Sequence, residues 1–451
     1  MSHLKNKMRQ NTTPIYFIDW CLFTALGMEN EIGTLHLICA IDTFDGLHPN
    51  IFTPKSFTYN HSLTCEETLN ALLRNEEVIQ YIQKHGKGKL LTWLLDETTE
   101  RLAAELGLEI ALPPVAIRHQ WDNKANTNRL AELAGVPCVP YVLAFVADYA
   151  QLRRVSAHLG THLVVQMPHG LGGQTTFFIS DEADFEKHRS DITSGAEMKI
   201  MTRIHCLGAS LEACITRHGV VVSPLLVELI GIKEINIYKG GWSGDELYAN
   251  AFSEPMRLAA QEYAIKMGEQ LRKVGYKGYF QPDFLIDTDT NTLYLGEMNL
   301  RFSGFTPLIN NALMAQREMP LLLLHLAEWL EMEYDLDIKT LNHRWMTPQS
   351  IDTLSFLHLK NIYNTLAKPM ATGIYRMNSD GKVIWMRSEM NPQSLKADEI
   401  FWFSTAGKAS KIERGDELGA LFIRSRVTTD GKHLTETAKA WVTGLMMNNE
   451  L

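Results

Sequence analysis

Several features that mark common protein classes are missing from this sequence of 451 residues. Its six cysteines are scattered without a Cys-x-x-Cys pair, so neither a zinc site nor a dense disulfide framework is indicated. Lysine and arginine form no run, and the formal net charge is -9, so nucleic acid is not an expected partner. The most apolar stretch, residues 320–330, is too short to cross a bilayer and contains His325 and Glu328. We therefore expect a cytoplasmic protein with no membrane partner.

The hydrophobic pattern predicts an α/β plus α+β fold. Residues 14–115 alternate strand-like runs with helical patterns, which predicts a parallel sheet covered by helices, and no G-x-G-x-x-G motif marks a dinucleotide site there. A second α/β unit begins with a helix predicted at residues 123–134, with Asp122 placed to cap it and Gly135 placed to end it. From about residue 345 onward, short strands separated by turn signals predict a third, mostly β unit.

The sharpest chemical signal is a strand in which polar and apolar residues alternate. The alternation sends Glu297, Asn299 and Arg301 to one face, while Met298 and Leu300 point into the core. Carboxylate and amide oxygens are ligands that magnesium prefers, and a guanidinium suits the phosphate oxygens that the metal bridges. The pattern therefore predicts a site for a magnesium-bound nucleotide.

Asp283, in the strand predicted just before, is the natural second carboxylate. Asp283 and Glu297 face the same side of an antiparallel pair only if the connecting loop has an odd number of residues, such as 289–291, or if the pair contains a bulge. Pro282 makes a local irregularity credible. An E-x-N-x-R strand alone is more often a solvated surface, and it is the additional carboxylate at Asp283 that favours a metal site.

A glycine-rich loop between two strand-like runs, residues 165–176, is the second signal. Its backbone amides are predicted to fold over phosphates as a hairpin lid, although such a segment alone is more often a tight turn. It is not a Walker A loop, because no Gly-Lys-Ser/Thr follows. Lys124 lies in the first turn of a helix, where the helix dipole disfavours a cation, so either a phosphate ligand or a solvated lysine is possible there.

These residues, in this order along the chain, resemble the ATP-grasp superfamily over roughly residues 115–320. The resemblance implies a pre-ATP-grasp parallel-sheet domain at residues 1–115 and an ATP-grasp core at residues 116–344. The core would include a glycine-rich lid subdomain at about residues 150–205. The C-terminal β-rich unit, residues 345–451, is similar to that of biotin carboxylase and of antibiotic-pathway amide ligases.

The resemblance also implies cofactors and roles. ATP and Mg²⁺, or Mn²⁺ in its place, are the expected cofactors. Asp283, Glu297 and Asn299 would hold the metal, and Arg301 would act as the catalytic residue that steadies the acyl-phosphate transition state. The residues expected to contact the nucleotide are Lys124, Gln166, Gly170, Gly172, Gly173, Thr175, Lys199, Met201 and Thr202.

Two of these positions depart from the family pattern. Gln166 stands where most members carry a second phosphate-binding lysine, and Thr202 stands near where many place a glutamate that contacts adenine. Lys199 or Arg203 would restore the missing charge if its side chain turned inward.

Three functions fit this interpretation. The leading expectation is a ligase that uses ATP to activate a small-molecule carboxylate as an acyl phosphate and joins it to a small-molecule amine, with release of ADP and phosphate. Members of the family often form homodimers. A biotin-carboxylase-like enzyme is the catalytic rival, although the chain has no Met-Lys-Met carrier hairpin. The third is a nucleotide-binding protein that has lost catalysis, with Gln166 and Thr202 as marks of the loss.

Overall fold

The N-terminal part contains a parallel sheet in the order β3-β2-β1-β4-β5. The structure is a computed structural model that describes residues 2–60, 62–170, 175–407 and 410–448. The strands of this sheet are β1 (Ile15–Asp19), β2 (Leu35–Cys39), β3 (Ile51–Phe52), β4 (Lys89–Leu91) and β5 (Glu109–Ile110). The helices of this part are α1 (Ser2–Arg9), α2 (Cys65–Arg74), α3 (Glu76–His85), α4 (Glu97–Glu105) and α5 (Val115–Trp121). The predicted parallel sheet is thereby confirmed.

An antiparallel sheet in the order β6-β9-β7-β8 forms the lid. One face of this sheet is covered by helices around a core that includes Leu152, Phe185 and Ile200. The other face turns toward the centre of the molecule. The elements are α6 (Lys124–Ala134), β6 (Tyr141–Phe145), α7 (Tyr149–Val155), β7 (Leu163–Gln166), β8 (Thr176–Ile179), α8 (Glu182–Lys187), α9 (Arg189–Ile192) and β9 (Glu197–Thr202).

A larger antiparallel sheet runs through the centre, in the order β12-β11-β15-β10-β13-β14-β17-β21-β20-β18-β19, with β16 beside β15. Its first strands are β10 (Cys206–Ser210), β11 (Ala213–Thr216), β12 (Gly219–Val222), β13 (Leu226–Ile230), β14 (Trp242–Leu247), β15 (Gly278–Asp287) and β16 (Thr292–Asn299). The helices that accompany them are α10 (Glu254–Lys273), α11 (Thr306–Ala315), α12 (Leu321–Trp329) and α13 (Ile338–Trp345). One face of the sheet packs against the N-terminal part and α12, and the other packs against α10.

The C-terminal strands extend this same sheet. They are β17 (Leu354–Lys360), β18 (Gly373–Met377), β19 (Val383–Arg387), β20 (Glu399–Ser404) and β21 (Glu417–Ile423), and α14 (Glu436–Asn448) follows them. Hydrogen bonding passes from the core to this region because β14 pairs with β17. The domain boundaries after residues 115 and 344 stay predictions.

Two expectations about the chain as a whole concern cysteines and membranes. All six cysteines are free thiols. Within the described ranges, no helix is both long and apolar enough to cross a bilayer.

Candidate active site

A β-bulge places Asp283 and Glu297 side by side. Strands β15 and β16 are joined by residues 288–291, an even number that alone would not bring the two carboxylates together. Their register shifts by one residue, so that Asp283 lies opposite Glu297, whereas Phe284 lies opposite Leu295. The predicted bulge is confirmed, and the alternative of a three-residue loop at 289–291 is wrong.

A chain of hydrogen bonds connects three of the predicted residues. Arg301 donates from Nη2 to Asn299 Oδ1 at 2.7 Å, and Asn299 Nδ2 donates to Asp283 Oδ2 at 2.9 Å. Ser210 and Gln281 also donate to Asp283. Burial, together with the charge of Glu297, raises the pKa of Asp283 to about 7. Asp283 Oδ2 and Asn299 Oδ1 each accept one of these bonds and keep a lone pair, so the cluster can accept a cation.

Two lysines lie on the Glu297 side of this cluster. The Lys124 ammonium is 2.8 Å from Glu297 Oε2, and the Lys199 ammonium donates to the Gly296 carbonyl at 2.7 Å. Burial by itself would raise the pKa of Glu297, but the charge of Lys124 holds that pKa below its ordinary value. Burial lowers the pKa of Lys199 to about 8. Lys124 is almost fully buried, so the structure does not support a solvated lysine there.

Lys199 places a cation beside Gln166. The two residues lie directly opposite each other on β7 and β9 and so share the face of the lid that looks toward the hairpin of β15 and β16. Gln166 donates to the Thr176 hydroxyl, and its Oε1 is buried without a partner among the described residues. Arg203, the other candidate, is exposed and lies over the Phe178 ring.

The glycine-rich loop begins beside Lys124. The Lys124 amide donates to the Pro168 carbonyl at 2.9 Å, which ties the loop to the first turn of α6. The loop is narrow where it is described, because a Cβ at Gly170 would lie 1.9 Å from Thr175 Oγ1. Gly172 and Gly173 lie outside the described residues. Gly170 and Thr175, both predicted to contact the nucleotide, therefore lie in a loop that is hydrogen-bonded to the backbone of Lys124. Their contact with the nucleotide stays a prediction.

Met201 and Thr202, predicted to contact adenine, point in opposite directions. Met201 packs with Leu285 and Tyr294 in a small apolar cluster between the lid and the central sheet. The Thr202 hydroxyl donates to the Leu159 carbonyl, on the helix-covered face of the lid. The structure therefore brings Met201, but not the Thr202 side chain, to the face that carries Lys199.

The cap of α6 differs by one residue from the prediction. Asn123, not Asp122, accepts the first amides of the helix, from Ala125 and Asn126. Both residue types cap helices well, and the extended backbone of Asn123 decides between them. Asp122 is thereby free for another contact, and its carboxylate lies 3.9 Å from Arg301 Nε.

Two carboxylates outside the predicted metal and nucleotide residues lie on the same face of the central sheet as Asp283. Glu228 on β13 pairs directly with Asp245 on β14, and Gly208 on β10 separates Glu228 from the strand of Asp283. No local motif identifies them, because each strand contributes a single residue. Within the described part, no three or more His, Cys, Asp or Glu side chains converge on one point that could hold a metal ion.

A side chain of the N-terminal part, Trp93, contacts the segment that carries Arg301. The Trp93 indole donates to the Phe302 carbonyl at 2.9 Å, and the Arg301 guanidinium lies 5.8 Å from the centre of the Trp93 ring. Trp93 in turn donates its amide to Asp19, at the carboxyl end of β1. Arg301 is thus held between the two parts of the protein.

No protein-family model matches the chain. The alpha subunit of mitochondrial methylcrotonoyl-CoA carboxylase from Arabidopsis thaliana is 24% identical over 209 residues, which are 45% of this chain and 27% of that protein. The butirosin acyl-carrier protein–L-glutamate ligase from Niallia circulans is 22% identical over 206 residues, which are 44% of this chain and 47% of that protein. The chain therefore spans between about a quarter and a half of the length of these relatives.

Solved structures match nearly the whole chain. Biotin carboxylase from Campylobacter jejuni superposes with a TM-score of 0.64 at 14% identity, covering 92% of this chain and 87% of the other. Carboxyaminoimidazole ribonucleotide synthase from Aspergillus clavatus, complexed with ATP, gives a TM-score of 0.56 at 13% identity, covering 97% of this chain and 100% of the other. The chain has the ATP-grasp fold.

Proposed function

We propose that this ATP-grasp protein is a ligase that activates a small-molecule carboxylate as an acyl phosphate and joins it to an amine. The observation that carries the proposal is the pairing of Asp283 with Glu297 across the bulge, with cationic side chains at one end of the pair. Oxygen ligands beside cations are what a magnesium-bound triphosphate requires. A relative that joins glutamate to a carrier protein and a structural neighbour complexed with ATP support the same reaction class.

The residues present fit ATP and Mg²⁺, with Mn²⁺ as an alternative metal. Asp283, Glu297 and Asn299 would hold the cation, which neutralises phosphate charge when bound. Lys124 and Lys199 would bind phosphate oxygens, with Gln166, Gly170, Thr175 and Met201 around the nucleotide. Thr202 stays a prediction without a supporting contact among the described residues, and Gly172 and Gly173, which lie outside those residues, stay predictions.

Arg301 would act at the reacting carbon. Its bonds to Asn299 and Phe302 fix the guanidinium, and Trp93 lies on its other side, so little reorganisation is needed when negative charge develops. In the first step, a carboxylate oxygen binds the terminal phosphorus and ADP leaves. In the second step, the amine nitrogen binds the carbonyl carbon, phosphate leaves with the electron pair of the broken C–O bond, and the nitrogen loses a proton.

Two alternatives lose support from the site. A carboxylase must bind bicarbonate, an anion that the carboxylates of Glu228 and Asp245 would repel. A protein without catalysis was suggested by Gln166 and Thr202, and a Lys199 ammonium beside Gln166 would offset the first of these departures. Homodimer formation and a cytoplasmic location stay predictions from the sequence.

The proposal is tested by Mg-ADP binding and by phosphate release. Calorimetry should detect Mg-ADP binding, and ATP with amino acids, dipeptides and other acids should release phosphate only when an amine is also present. Glu297→Gln should abolish both signals. Asp289→Asn, an exposed carboxylate in the turn of the same hairpin, should leave both unchanged. Release driven by bicarbonate alone would favour the carboxylase, and failure to bind Mg-ADP would reject the nucleotide site.

A further inference from the structure

We infer that Asp245, Glu228 and Trp242 form a subsite for a positively charged amine, the nucleophile of the reaction proposed above, on which this inference rests. The subsite lies on the same face of the central sheet as Asp283, shifted toward β14. Its occupant would be an alkylamine that enters as an ammonium ion.

The first argument is that these carboxylates have no cationic partner among the described residues. Asp245 is fully buried, and its Oδ1 receives no hydrogen bond from any described residue. The Glu228 side chain likewise has neither a hydrogen bond nor an ion pair within the described residues. Glu228 is only partly buried, whereas Asp245 beside it is fully buried. A buried carboxylate oxygen without a partner is costly, so a protein that keeps one next to a second carboxylate is expected to bind a cation there.

The second argument is the aromatic side chain that completes the site. The Trp242 indole donates to Asp245 Oδ2 at 3.1 Å, which fixes the ring beside the carboxylate. The side chain of Trp242 is only partly buried, so the subsite can be reached from solvent. An aromatic face beside a carboxylate is a common way to bind an alkylammonium ion. Two rings of β17 pack edge-on against Trp242, namely those of Phe356 and His358.

The third argument is the position of the subsite relative to the reacting groups. The Trp242 ring packs on Gly304, three residues beyond Arg301, since a Cβ at Gly304 would lie 2.4 Å from a ring atom. On the other side, the Glu228 carboxylate lies over Gly208, because a Cβ there would be 2.8 Å from Glu228 Oε2. Glu228 is thus directed toward the strand of Asp283. An amine held here would lie on the same sheet face as Asp283 and next to Gly304, three residues beyond Arg301.

A second metal ion is the competing occupant, and the described residues argue against it. Neither Glu228 nor Asp245 joins a group of three or more His, Cys, Asp or Glu side chains that could surround one ion. The Trp242 indole, a neutral donor, also hydrogen-bonds to Asp245 Oδ2, which leaves one oxygen fewer for a metal ion. A single ammonium needs fewer ligands than a divalent ion and matches the aromatic wall.

The test measures amine binding to the full chain saturated with Mg-ADP. Ethanolamine, 1,3-diaminopropane and L-lysine are titrated by calorimetry, with 1,3-propanediol as the neutral probe. At least one amine should bind the wild type, and Asp245→Asn and Glu228→Gln should weaken it at least tenfold without changing Mg-ADP affinity. Glu246→Gln, on the opposite face of β14, is the matched control and should bind that amine like the wild type.

Three results would overturn the inference. One is equal amine binding by the wild type and by Asp245→Asn. Another is a wild type that binds Mg-ADP but none of the amines. The third is the loss of one bound Mn²⁺ from Asp245→Asn, measured by electron paramagnetic resonance, which would assign the carboxylates to a metal. Failure of the wild type to bind Mg-ADP is a different result, because it rejects the proposed function itself.

Discussion

The two ends of the sheet face that carries the site differ in charge. At one end, Glu297 forms an ion pair with Lys124, and Lys199 contacts the neighbouring carbonyl of Gly296. At the other end, Glu228 and Asp245 lie beside each other with no cationic partner among the described residues. We call these the cation-rich end and the carboxylate end. The first suits phosphates, and the second suits a positively charged group.

The carboxylate end shows that the protein gives up stability at this position. Burial raises the pKa of Asp245 well above its ordinary value, and the charges of Asp283 and Glu212 add to the effect. Burial and the charges of Asp283, Asp245 and Glu297 do the same for the pKa of Glu228. Strongly shifted groups in a cleft are typical of functional sites. A substitution at one end should therefore leave ligand binding at the other end unchanged.

Replacing Arg301 with methionine should have the largest effect. The guanidinium acts on charge that develops in the transition state, so kcat should fall by roughly 10²–10³-fold, while Mg-ADP affinity changes little because Lys124 and Lys199 remain. Steady-state kinetics with the substrates found by phosphate release, together with calorimetry, measure the two quantities. Arg272→Met, on the exposed surface of α10, is the control. An equal loss of rate and of Mg-ADP affinity would place Arg301 in the nucleotide site instead.

Replacing Lys199 with methionine should weaken Mg-ADP binding by roughly tenfold, because a charge-assisted hydrogen bond is lost. The lysine has a pKa of about 8, so Mg-ADP affinity of the wild type should decrease as pH rises through that value, and the variant should lack this decrease. Lys187→Met, an exposed lysine of the lid, should match the wild type. Weaker amine binding in the Lys199 variant would contradict the separation of the two ends.

Sequence patterns predicted the parts of the fold that depend on local periodicity. The parallel sheet of the N-terminal part and the strand pair that carries Asp283 and Glu297 lie where hydrophobic spacing predicted them. The position of the bulge and the choice between Asp122 and Asn123 as helix cap were not decided by local preference. The bulge is set by the register within the hairpin of β15 and β16, and the cap is set by the extended backbone of Asn123.

The site residues also divide into those that local sequence patterns predicted and those that required the structure. Asp283, Glu297, Asn299 and Arg301 were predictable because one hairpin carries them all. Glu228 and Asp245 were not, because their pairing depends on the register across the long connection between β13 and β14. The choice of Lys199 over Arg203 also required the structure, since Arg203 lies just beyond the end of β9 and is exposed there.

Replacing Asp245 with asparagine should stabilise the protein. A carboxyl whose folded pKa is raised stabilises fully below its unfolded pKa, near 4, and loses that contribution as pH rises toward the folded pKa. The variant avoids this loss, so its free energy of unfolding should exceed that of the wild type by about 1–3 kcal/mol at pH 7.5 and by little at pH 4. Urea unfolding at the two pH values measures this difference. The fit should include the titratable groups that lie near Asp245, which are Glu212, Glu228, Asp283 and His358.

Glu246 provides the matched comparison, because it is the next residue on the same strand but faces the other way. Its carboxylate accepts hydrogen bonds from the Thr428 amide at 2.7 Å and the Thr428 hydroxyl at 2.6 Å, and also from the Val427 amide. Glu246→Gln should therefore lower the free energy of unfolding by about 1–3 kcal/mol. If both substitutions destabilised the protein, the carboxylate at Asp245 would have a structural partner, and the comparison between the two ends would fail.

Replacing Gly170 with alanine should have the smallest effect and should act on the cation-rich end alone. The new Cβ would collide with Thr175 Oγ1 and force apart the described ends of the loop beside Lys124. Mg-ADP affinity should fall a few-fold, because the loop remains but its closure is strained. Adding Thr175→Gly removes the collision and should recover part of the affinity, because the Thr175 side chain itself lies in the segment proposed to surround the nucleotide. Amine affinity at saturating Mg-ADP should be unchanged throughout, since Trp242 and Asp245 lie on the central sheet and contact neither residue; a parallel loss of amine affinity would show that the loop covers both ends.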